Sequence, residues 1–348
     1  MKQQGLSDDY IPMRVPYYDM VSVFSEVLQK HGMDADAAGL SAKLFADSSA
    51  DGVHSHGLNR FPRYISYIKE GYVDVTKTAV RVEKFGGLER WDGQLGPGDI
   101  NAWICMDRAV KLAKQNTIGA VALGNTNHWM RAGNYGLLAA SEDCVGICWT
   151  NTTPNLPPWG GTDCRLGNNP LVIAVPYQDC PVLVDVAMSM FSYGKLEKLA
   201  MDGMECPVDA GFDREGNLTK DPEAVLETMQ PLPMGYWKGS GLSLALDLIA
   251  AILSGGSTVR TIGDYPAEID LSQFFLAIDL SSFPDRIRME AEIISSLEYM
   301  TSSRPRVEGR SVHYPGQGRK RTREESMRLG VYADDRVWQE VLGLLEEA

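Results

Sequence analysis

The chain has 348 residues, of which 44% are hydrophobic and 23% charged, and its formal net charge is −13. This length can bury a substantial core and allows two or three domains. The acidity argues against nucleic acid as a partner, because no broad basic field would neutralise phosphates. The N-terminus lacks an apolar signal-like run, and the longest apolar run, Leu242 to Leu253, is too short to span a bilayer. We therefore expect a cytoplasmic protein that binds neither nucleic acid nor membrane.

Hydrophobic spacing predicts a helical beginning, a mixed middle and a helical end. Predicted helices cover residues 17–30, 34–49, 61–70, 102–114, 135–140, 195–201, 242–253 and 287–300, and begin again near 322 and 335. A hairpin is predicted over residues 80–91, and strands over 120–123, 145–149, 171–175, 182–186 and 274–278. Strands mixed with helices indicate an α/β or α+β fold.

The six cysteines include no C-x-x-C pair, so the sequence predicts free thiols in a reducing compartment and no metal site. The G-x-G-x-x-G fingerprint of a Rossmann fold is absent after every predicted strand. Its nearest approach, Gly239-Ser240-Gly241, lacks the third glycine.

Two of the five histidines lie close together in the segment Asp51–Tyr64. An imidazole moves a proton near neutral pH, and Arg60, four residues after His56, would share a helix face with it. That pair suits a substrate with a carboxylate beside a carbonyl. The alternative is a capped helix start, with Asp51 and Ser55 as caps and Arg60 on the surface.

Six sequence blocks carry a family resemblance. They are DGVHSHGLNRFPRY (51–64), GNTNHWMRAGNYG (124–136), GICWTN (146–151), PPWG (157–160), MSMFSYG (188–194) and PMGYWKGSG (233–241). With these blocks in the family's order, the chain resembles the malate/L-lactate dehydrogenase family without a Rossmann fold. That family includes ureidoglycolate, sulfolactate and diketogulonate reductases. The last three blocks are most similar to the branch that reduces 2,3-diketo-L-gulonate.

The resemblance implies a fold in which a central, mostly antiparallel sheet domain binds the nicotinamide cofactor. It places that mixed α/β domain at residues 77–285. A helical domain would combine residues 1–76 with a C-terminal helical segment at 286–348. The family also implies a homodimer with the active site near the subunit interface.

For the site, the resemblance implies His56 as proton donor and Arg60 as the group that holds the substrate carboxylate. His128 resembles a second active-site imidazole that polarises a substrate oxygen or binds a hydroxyl. A packed core histidine is the alternative for His128. We interpret His54 as structural.

Three segments resemble the family's cofactor contacts. For the first of them, which is rich in valine, a buried core strand is the alternative. The first comprises Pro181, Val182, Leu183, Val184, Asp185, Val186 and Ala187, the second Trp237 and Lys238, and the third Gly316, Gln317 and Gly318. The turn 239–241 would expose N–H groups to a phosphate at a helix start, beside Lys238. The basic cluster 319–323 is interpreted as a solvated helix start that alternatively reaches a phosphate. NADH is expected, with NADPH open, since no arginine is obviously placed for a 2′-phosphate.

The predicted function is reduction of a small 2-oxo acid, with 2,3-diketo-L-gulonate as first choice. Sibling activities on malate, lactate, ureidoglycolate or a cyclic imine acid are alternatives. Lys195 favours them slightly, because it matches many family members but not the diketogulonate branch. From other classes, Ser55 and His56 suggest a hydrolase, although no G-x-S-x-G elbow is present. A non-catalytic carboxylate-binding module is the remaining alternative.

Overall fold

The computed structural model describes residues 13–347, and the chain forms two compact units. Unit 1 contains the residues up to Gly71 and those from Gly318 onward, and unit 2 is Tyr72–Gln317. The helices are α1 Tyr17–Lys30, α2 Ala35–Ala50, α3 Phe61–Lys69, α4 Gly98–Asn116, α5 Gly133–Ser141, α6 Tyr193–Met201, α7 Pro222–Thr228, α8 Trp237–Ser254, α9 Val259–Ile262, α10 Arg286–Thr301, α11 Gln317–Leu329 and α12 Asp335–Gly343. The strands are β1 Arg14–Val15, β2 Val80–Phe85, β3 Leu88–Asp92, β4 Ile118–Thr126, β5 Cys144–Thr150, β6 Leu171–Val175, β7 Val182–Val186, β8 Gly211–Phe212, β9 Leu218–Thr219, β10 Leu271–Asp279 and β11 Val331–Tyr332.

Unit 1 is a helical unit built from both ends of the chain. Its core is aromatic: Phe24 of α1 stacks on Phe61 of α3 at 4.2 Å, and Phe45 of α2 meets Phe61 edge-on at 5.2 Å. Trp338 of α12 reaches the same core, 6.4 Å from Phe24. Strand β1 pairs with β11, so the N-terminal and C-terminal segments are also joined by backbone hydrogen bonds.

Unit 2 is organised around a seven-stranded sheet in the order β2-β3-β4-β10-β5-β6-β7. Every neighbouring pair is antiparallel except β3 and β4, which are parallel and connected through α4. A parallel pair needs such a crossover, whereas the hairpin β2–β3 needs only the two residues between its strands. The prediction of a mixed fold with a mostly antiparallel sheet is confirmed.

Helices cover the centre of the sheet on both faces. Side chains alternate along β10, so Phe275 packs in the cluster formed with α4 and α5, while Phe274 packs in the cluster that includes α8. Val121 and Ala122 divide in the same way on β4. This double burial explains why the central strands read as nearly continuous apolar runs.

The unit boundaries differ from those expected. Residues 72–76 and 286–317, predicted to belong to the helical domain, belong to unit 2. Contacts within unit 2 account for the difference, because they fasten both segments to its sheet and loops. These contacts are Asp74 N–H to the Leu95 carbonyl at 2.9 Å, Leu183 N–H to the Pro315 carbonyl at 2.9 Å, and Arg286 to Asp143 at 2.7 Å.

Helix α8 begins at Trp237, five residues before the predicted start. The 239–241 segment is therefore helical and does not form a turn in front of the helix. Gly239 is needed there, since a Cβ would lie 2.8 Å from the Met234 backbone nitrogen. By length and composition, α8 is apolar enough to cross a membrane, with a mean hydropathy of 1.2, but its inner face packs on the sheet as a core helix does.

Candidate functional site

The histidine segment of unit 1 is not an α-helix. His54–His56 form one 3₁₀ turn and Leu58–Arg60 a second, and the chain breaks between them at Gly57 (φ −115°, ψ −123°). His56 and Arg60 therefore do not share a face of one α-helix. The i, i+4 argument for their proximity therefore does not apply, because Gly57 separates the two turns.

The break is fixed by close packing against α2. A Cβ at Gly57 would overlap Ser49 Oγ and would lie 2.8 Å from the Ser49 nitrogen and 2.9 Å from the Phe45 carbonyl oxygen. Ser49 Oγ accepts a hydrogen bond from Leu58 N–H at 2.8 Å. Only a glycine lets the chain approach α2 this closely, so position 57 sets where His56 lies.

The two imidazoles of this segment have different surroundings. The Ser55 hydroxyl lies 3.1 Å from His56 Nδ1, and the His56 side chain is half-buried. The ring of His54 packs edge-on against the Tyr332 ring, with centroids 5.3 Å apart. His54 thus contacts the β1–β11 ladder of unit 1, a packing contact that fits a structural role.

Buried ion pairs lie immediately before the histidine segment. Asp51, whose side chain is 1% exposed, contacts Arg319 at 3.3 Å and Arg323 at 3.0 Å. Arg323 also donates to Asp47 at 2.5 Å. Burial alone would lower the pKa of Arg323, but the two carboxylates raise it above the ordinary value. The interpretation of 319–323 as a solvated cluster was therefore wrong for these two arginines.

Asp47 has two further partners, which complete the network. The Tyr17 hydroxyl donates to it at 2.8 Å, and Lys43 Nζ lies 2.6 Å from its other oxygen. Burial raises the pKa of Asp47, but Lys43 and Arg323 outweigh that effect and hold it below its usual range. The sequence signal that could have indicated this network is the spacing of four residues between Asp47 and Asp51 and between Arg319 and Arg323.

In unit 2, His128 lies at the end of β4 in a tightly bonded segment. Its Nδ1 accepts a hydrogen bond from Met130 N–H at 3.0 Å, so in the neutral ring the proton sits on Nε2. The preceding Asn127 side chain donates to three backbone carbonyls, those of Tyr72, Leu95 and Gly96. The adjacent Trp129 is fully buried. The backbone on either side of His128 is therefore held firmly, whether its role is catalytic or structural.

Two of the three predicted cofactor segments meet at the start of the edge strand β7. Leu183 N–H donates to the Pro315 carbonyl at 2.9 Å. Gly316, with φ +94°, approaches so closely that a Cβ would lie 2.8 Å from the Pro181 carbonyl oxygen. Gln317 Oε1 accepts from Tyr314 N–H at 3.3 Å. The close approach explains why a glycine occupies position 316.

The remaining predicted cofactor segment, Trp237 and Lys238, follows a loop that is bonded to the chain just beyond the other end of β7. Beyond Ala187, Met188 accepts a hydrogen bond from Met234 N–H at 2.7 Å, three residues before α8 begins. Trp237 is 66% exposed at that helix start, and the ring of the preceding Tyr236 lies 5.1 Å from the exposed ring of Trp159. Lys238 is exposed in the first turn of α8, where its N–H donates to the Gly235 carbonyl and Ser240 N–H donates to the Tyr236 carbonyl, both at 3.3 Å. Strand β7 thus connects all three predicted cofactor segments.

Asp185 is the one carboxylate on β7. The residue is exposed to solvent, and its carboxylate accepts a hydrogen bond from Gly133 N–H at 2.9 Å. Burial raises the pKa of Asp185, although Arg131 and the Gly133 N–H oppose that shift. A solvent-reachable carboxylate with a raised pKa is typical of a concave ligand site.

Comparison with known proteins agrees with this architecture. Residues 15–342 match the family described as Malate/L-lactate dehydrogenase. A 2,3-diketo-L-gulonate reductase of Klebsiella pneumoniae (strain 342) is 43% identical over 334 residues, which are 95% of this chain and 100% of that protein. The chain belongs to the malate/L-lactate dehydrogenase family.

Solved structures of other members share the fold. Malate dehydrogenase from Pyrococcus horikoshii OT3 has a TM-score of 0.87 at 30% identity, covering 100% of this chain and 98% of that one. Sulfolactate dehydrogenase from Methanocaldococcus jannaschii has a TM-score of 0.88 at 29% identity, covering 96% and 97%. A family member is an oxidoreductase that uses a nicotinamide cofactor, which removes the hydrolase and binding-module alternatives.

Proposed function

We propose that this family member reduces 2,3-diketo-L-gulonate to 3-dehydro-L-gulonate with NADH. One observation carries the substrate assignment: a reductase of that name is 43% identical and is matched over its whole length. Sibling substrates such as malate remain the second candidate, since malate and sulfolactate dehydrogenases share the fold at about 30% identity.

In this proposal, His56 supplies the proton that the substrate oxygen needs when the carbonyl is reduced. Negative charge develops on that oxygen, so an acid within hydrogen-bond reach lowers the barrier. Ser55 contacts Nδ1 of the same ring at 3.1 Å, and we therefore assign the transferred proton to Nε2. Arg60 holds the substrate carboxylate and orients the adjacent keto group.

His128 is proposed as a neutral hydrogen-bond donor to a substrate oxygen. The Met130 N–H occupies Nδ1, which leaves the ring proton on Nε2 and makes that nitrogen a donor. A neutral imidazole can polarise an oxygen without transferring its proton. This division of labour leaves proton transfer to His56.

The residues along β7 fit a nicotinamide dinucleotide, which when bound supplies the hydride. Gly316 and Gly133 let the 314–317 loop and the start of α5 pack closely against β7, and Trp237 offers an exposed flat surface. The Lys238 side chain and the positive end of the α8 dipole suit a phosphate. We propose that residues 181–187, Trp237, Lys238 and 316–318 hold the cofactor.

The arginine network supports NADH over NADPH. Recognition of a 2′-phosphate normally uses an arginine near the ribose. Arg319 and Arg323, which follow the 316–318 segment directly, are already paired with the buried Asp51. Either guanidinium would have to give up its contact with the buried Asp51 carboxylate in order to bind a phosphate, which opposes that use.

We also propose a cytoplasmic homodimer. All six cysteines are free, as in a reducing compartment. Beyond Lys238, the outer face of α8 exposes large apolar side chains from Leu242 to Ile252, which a second copy of the same face would cover. These side chains are Leu242, Leu244, Leu248, Ile249 and Ile252, between 42% and 70% exposed.

The test is a panel of 2-oxo acids, including 2,3-diketo-L-gulonate, malate-derived and lactate-derived acids, assayed with NADH and NADPH in parallel. We expect the highest kcat/KM with diketogulonate and NADH. His56→Ala should abolish turnover while nucleotide binding persists. His31→Ala, at the end of α1, is the matched control and should keep full activity. A different best acid would replace the substrate assignment, and an active His56→Ala would remove the proton donor.

A further inference from the structure

We infer that Asp51, Arg319 and Arg323 are positioning residues that hold the His56 turn in place. This inference rests on the proposed role of His56 as proton donor. Asp51 ends α2, and the chain turns at Gly52 (φ +85°) directly into the 3₁₀ turn His54–His56. A carboxylate fixed at this point fixes the beginning of the turn.

One face of helix α11 contacts Asp51 and Gly52. Arg319, Thr322 and Arg323 are spaced i, i+3 and i+4, so they lie on the same side of the helix. Both arginines bind the Asp51 carboxylate, one on each oxygen, at 3.3 Å and 3.0 Å. Thr322 packs on the backbone of Gly52, where a Cβ would lie 3.1 Å from its Cγ2. Side chain and backbone are thus held together.

The far end of the turn is held separately. Gly57 lies directly against α2, and Leu58 N–H donates to Ser49 Oγ at 2.8 Å. His56 is therefore on a short bridge with two anchors, an ionic one at Asp51 and a packed one at Gly57. Loss of the ionic anchor frees one end of the bridge, and a misplacement of 1 Å can cost a catalytic group about 10²-fold in rate.

Asp51→Asn tests the anchor, and Asp47→Asn is the matched control. Each variant removes one carboxylate that contacts Arg323, but Asp47 lies inside α2 and does not adjoin the turn. For the 2-oxo acid that the wild type reduces fastest, we expect Asp51→Asn to lower kcat about 10-fold to 10²-fold. Its KM for the nucleotide should be unchanged, and Asp47→Asn should keep its kcat. Equal kcat losses in both variants, or no loss in Asp51→Asn, would overturn the inference.

A second readout does not depend on the enzyme's activity. The rate at which diethyl pyrocarbonate modifies His56, followed by peptide mass, reports the ring's surroundings in the folded protein. We expect a changed rate in Asp51→Asn and an unchanged rate in Asp47→Asn. If the wild type reduces no acid in the panel, the proposed function fails while this comparison still decides the positioning role. Equal rates in all three proteins would refute that role.

Replacing each arginine by lysine, as well as by methionine, distinguishes loss of the ion pair from a failure to fold. Arg319 makes a single contact with Asp51, which a lysine can replace, so Arg319→Lys should recover kcat that Arg319→Met loses. Arg323 contacts Asp51 through one guanidinium nitrogen at 3.0 Å, so Arg323→Lys should likewise keep more kcat than Arg323→Met. Full kcat in both Arg319→Met and Arg323→Met would contradict the assignment.

Discussion

Substitution of Gly57 by alanine should damage stability and catalysis together. The added methyl group would overlap Ser49 Oγ, and it would lie 2.8 Å from the Ser49 nitrogen and 2.9 Å from the Phe45 carbonyl. Real Cβ atoms do not approach backbone atoms that closely. The chain at position 57 must therefore move away from α2 and take its neighbour His56 with it.

The stability cost can be worked from these contacts. Overpacking a close contact costs about 1–3 kcal/mol. Displacing Ser49 Oγ also breaks its buried hydrogen bond with Leu58 N–H, which costs a further 1–3 kcal/mol or so. Alanine recovers about 0.5–1 kcal/mol by restricting the unfolded chain. The free energy of unfolding should fall by about 1–5 kcal/mol, a large part of the total for an ordinary protein.

Urea unfolding and steady-state kinetics test both effects. Gly57→Ala should lower kcat about 10²-fold at substrate saturation, because His56 moves. Gly39→Ala, in the helix α2 against which Gly57 packs, is the matched control, since nothing lies within 4 Å of its added Cβ. It should gain about 0.5–1 kcal/mol of stability and keep its kcat. A Gly57→Ala protein as stable and active as the wild type would refute the packing argument.

Other predictions follow from unit 2. Arg108 holds the pKa of the buried Glu89 at about 2, so Glu89 contributes stability at neutral pH that is lost as pH falls from about 4.5 toward 2. Because solvent screens its partners, Glu89→Gln should cost about 1–2 kcal/mol in urea unfolding at pH 7 and flatten that acid dependence. Leu248→Arg should give monomers by light scattering, and an unchanged dimer would exclude α8 as the interface. Iodoacetamide should modify the half-exposed Cys164 before the buried thiols, such as Cys105, whose pKa burial raises. Peptide mapping that finds Cys105 first would contradict this.

Periodicity was sufficient for elements whose side chains divide cleanly between core and solvent. Helix α1 and strands β6 and β7 have the predicted bounds, and α12 begins at the predicted residue. The hairpin formed by β2 and β3 also lies where it was predicted, although every residue of β2 is exposed. In α1, β6 and β7 the local pattern and tertiary burial agree, so the pattern alone locates them.

The site was harder to predict, because its geometry depends on contacts between distant residues. The break at Gly57 comes from its packing on α2, and no spacing within residues 51–64 reveals that contact. The pairing of Asp51 with Arg319 and Arg323 crosses most of the chain, so a basic run looked solvated. The start of α8 was missed because two glycines disfavour a helix locally, whereas packing at Gly239 requires one.

The pairing of β1 with β11 has a consequence for the order in which the protein matures. Residues 14–15 cannot form their strand pair until residues 331–332 have been synthesised, whereas unit 2 is one continuous stretch of chain. A ribosome that releases roughly 5–20 residues each second therefore completes unit 2 before the last helices emerge. The proton donor proposed here belongs to the part that closes last, so a polypeptide cut short near its end would keep its sheet and have no working acid.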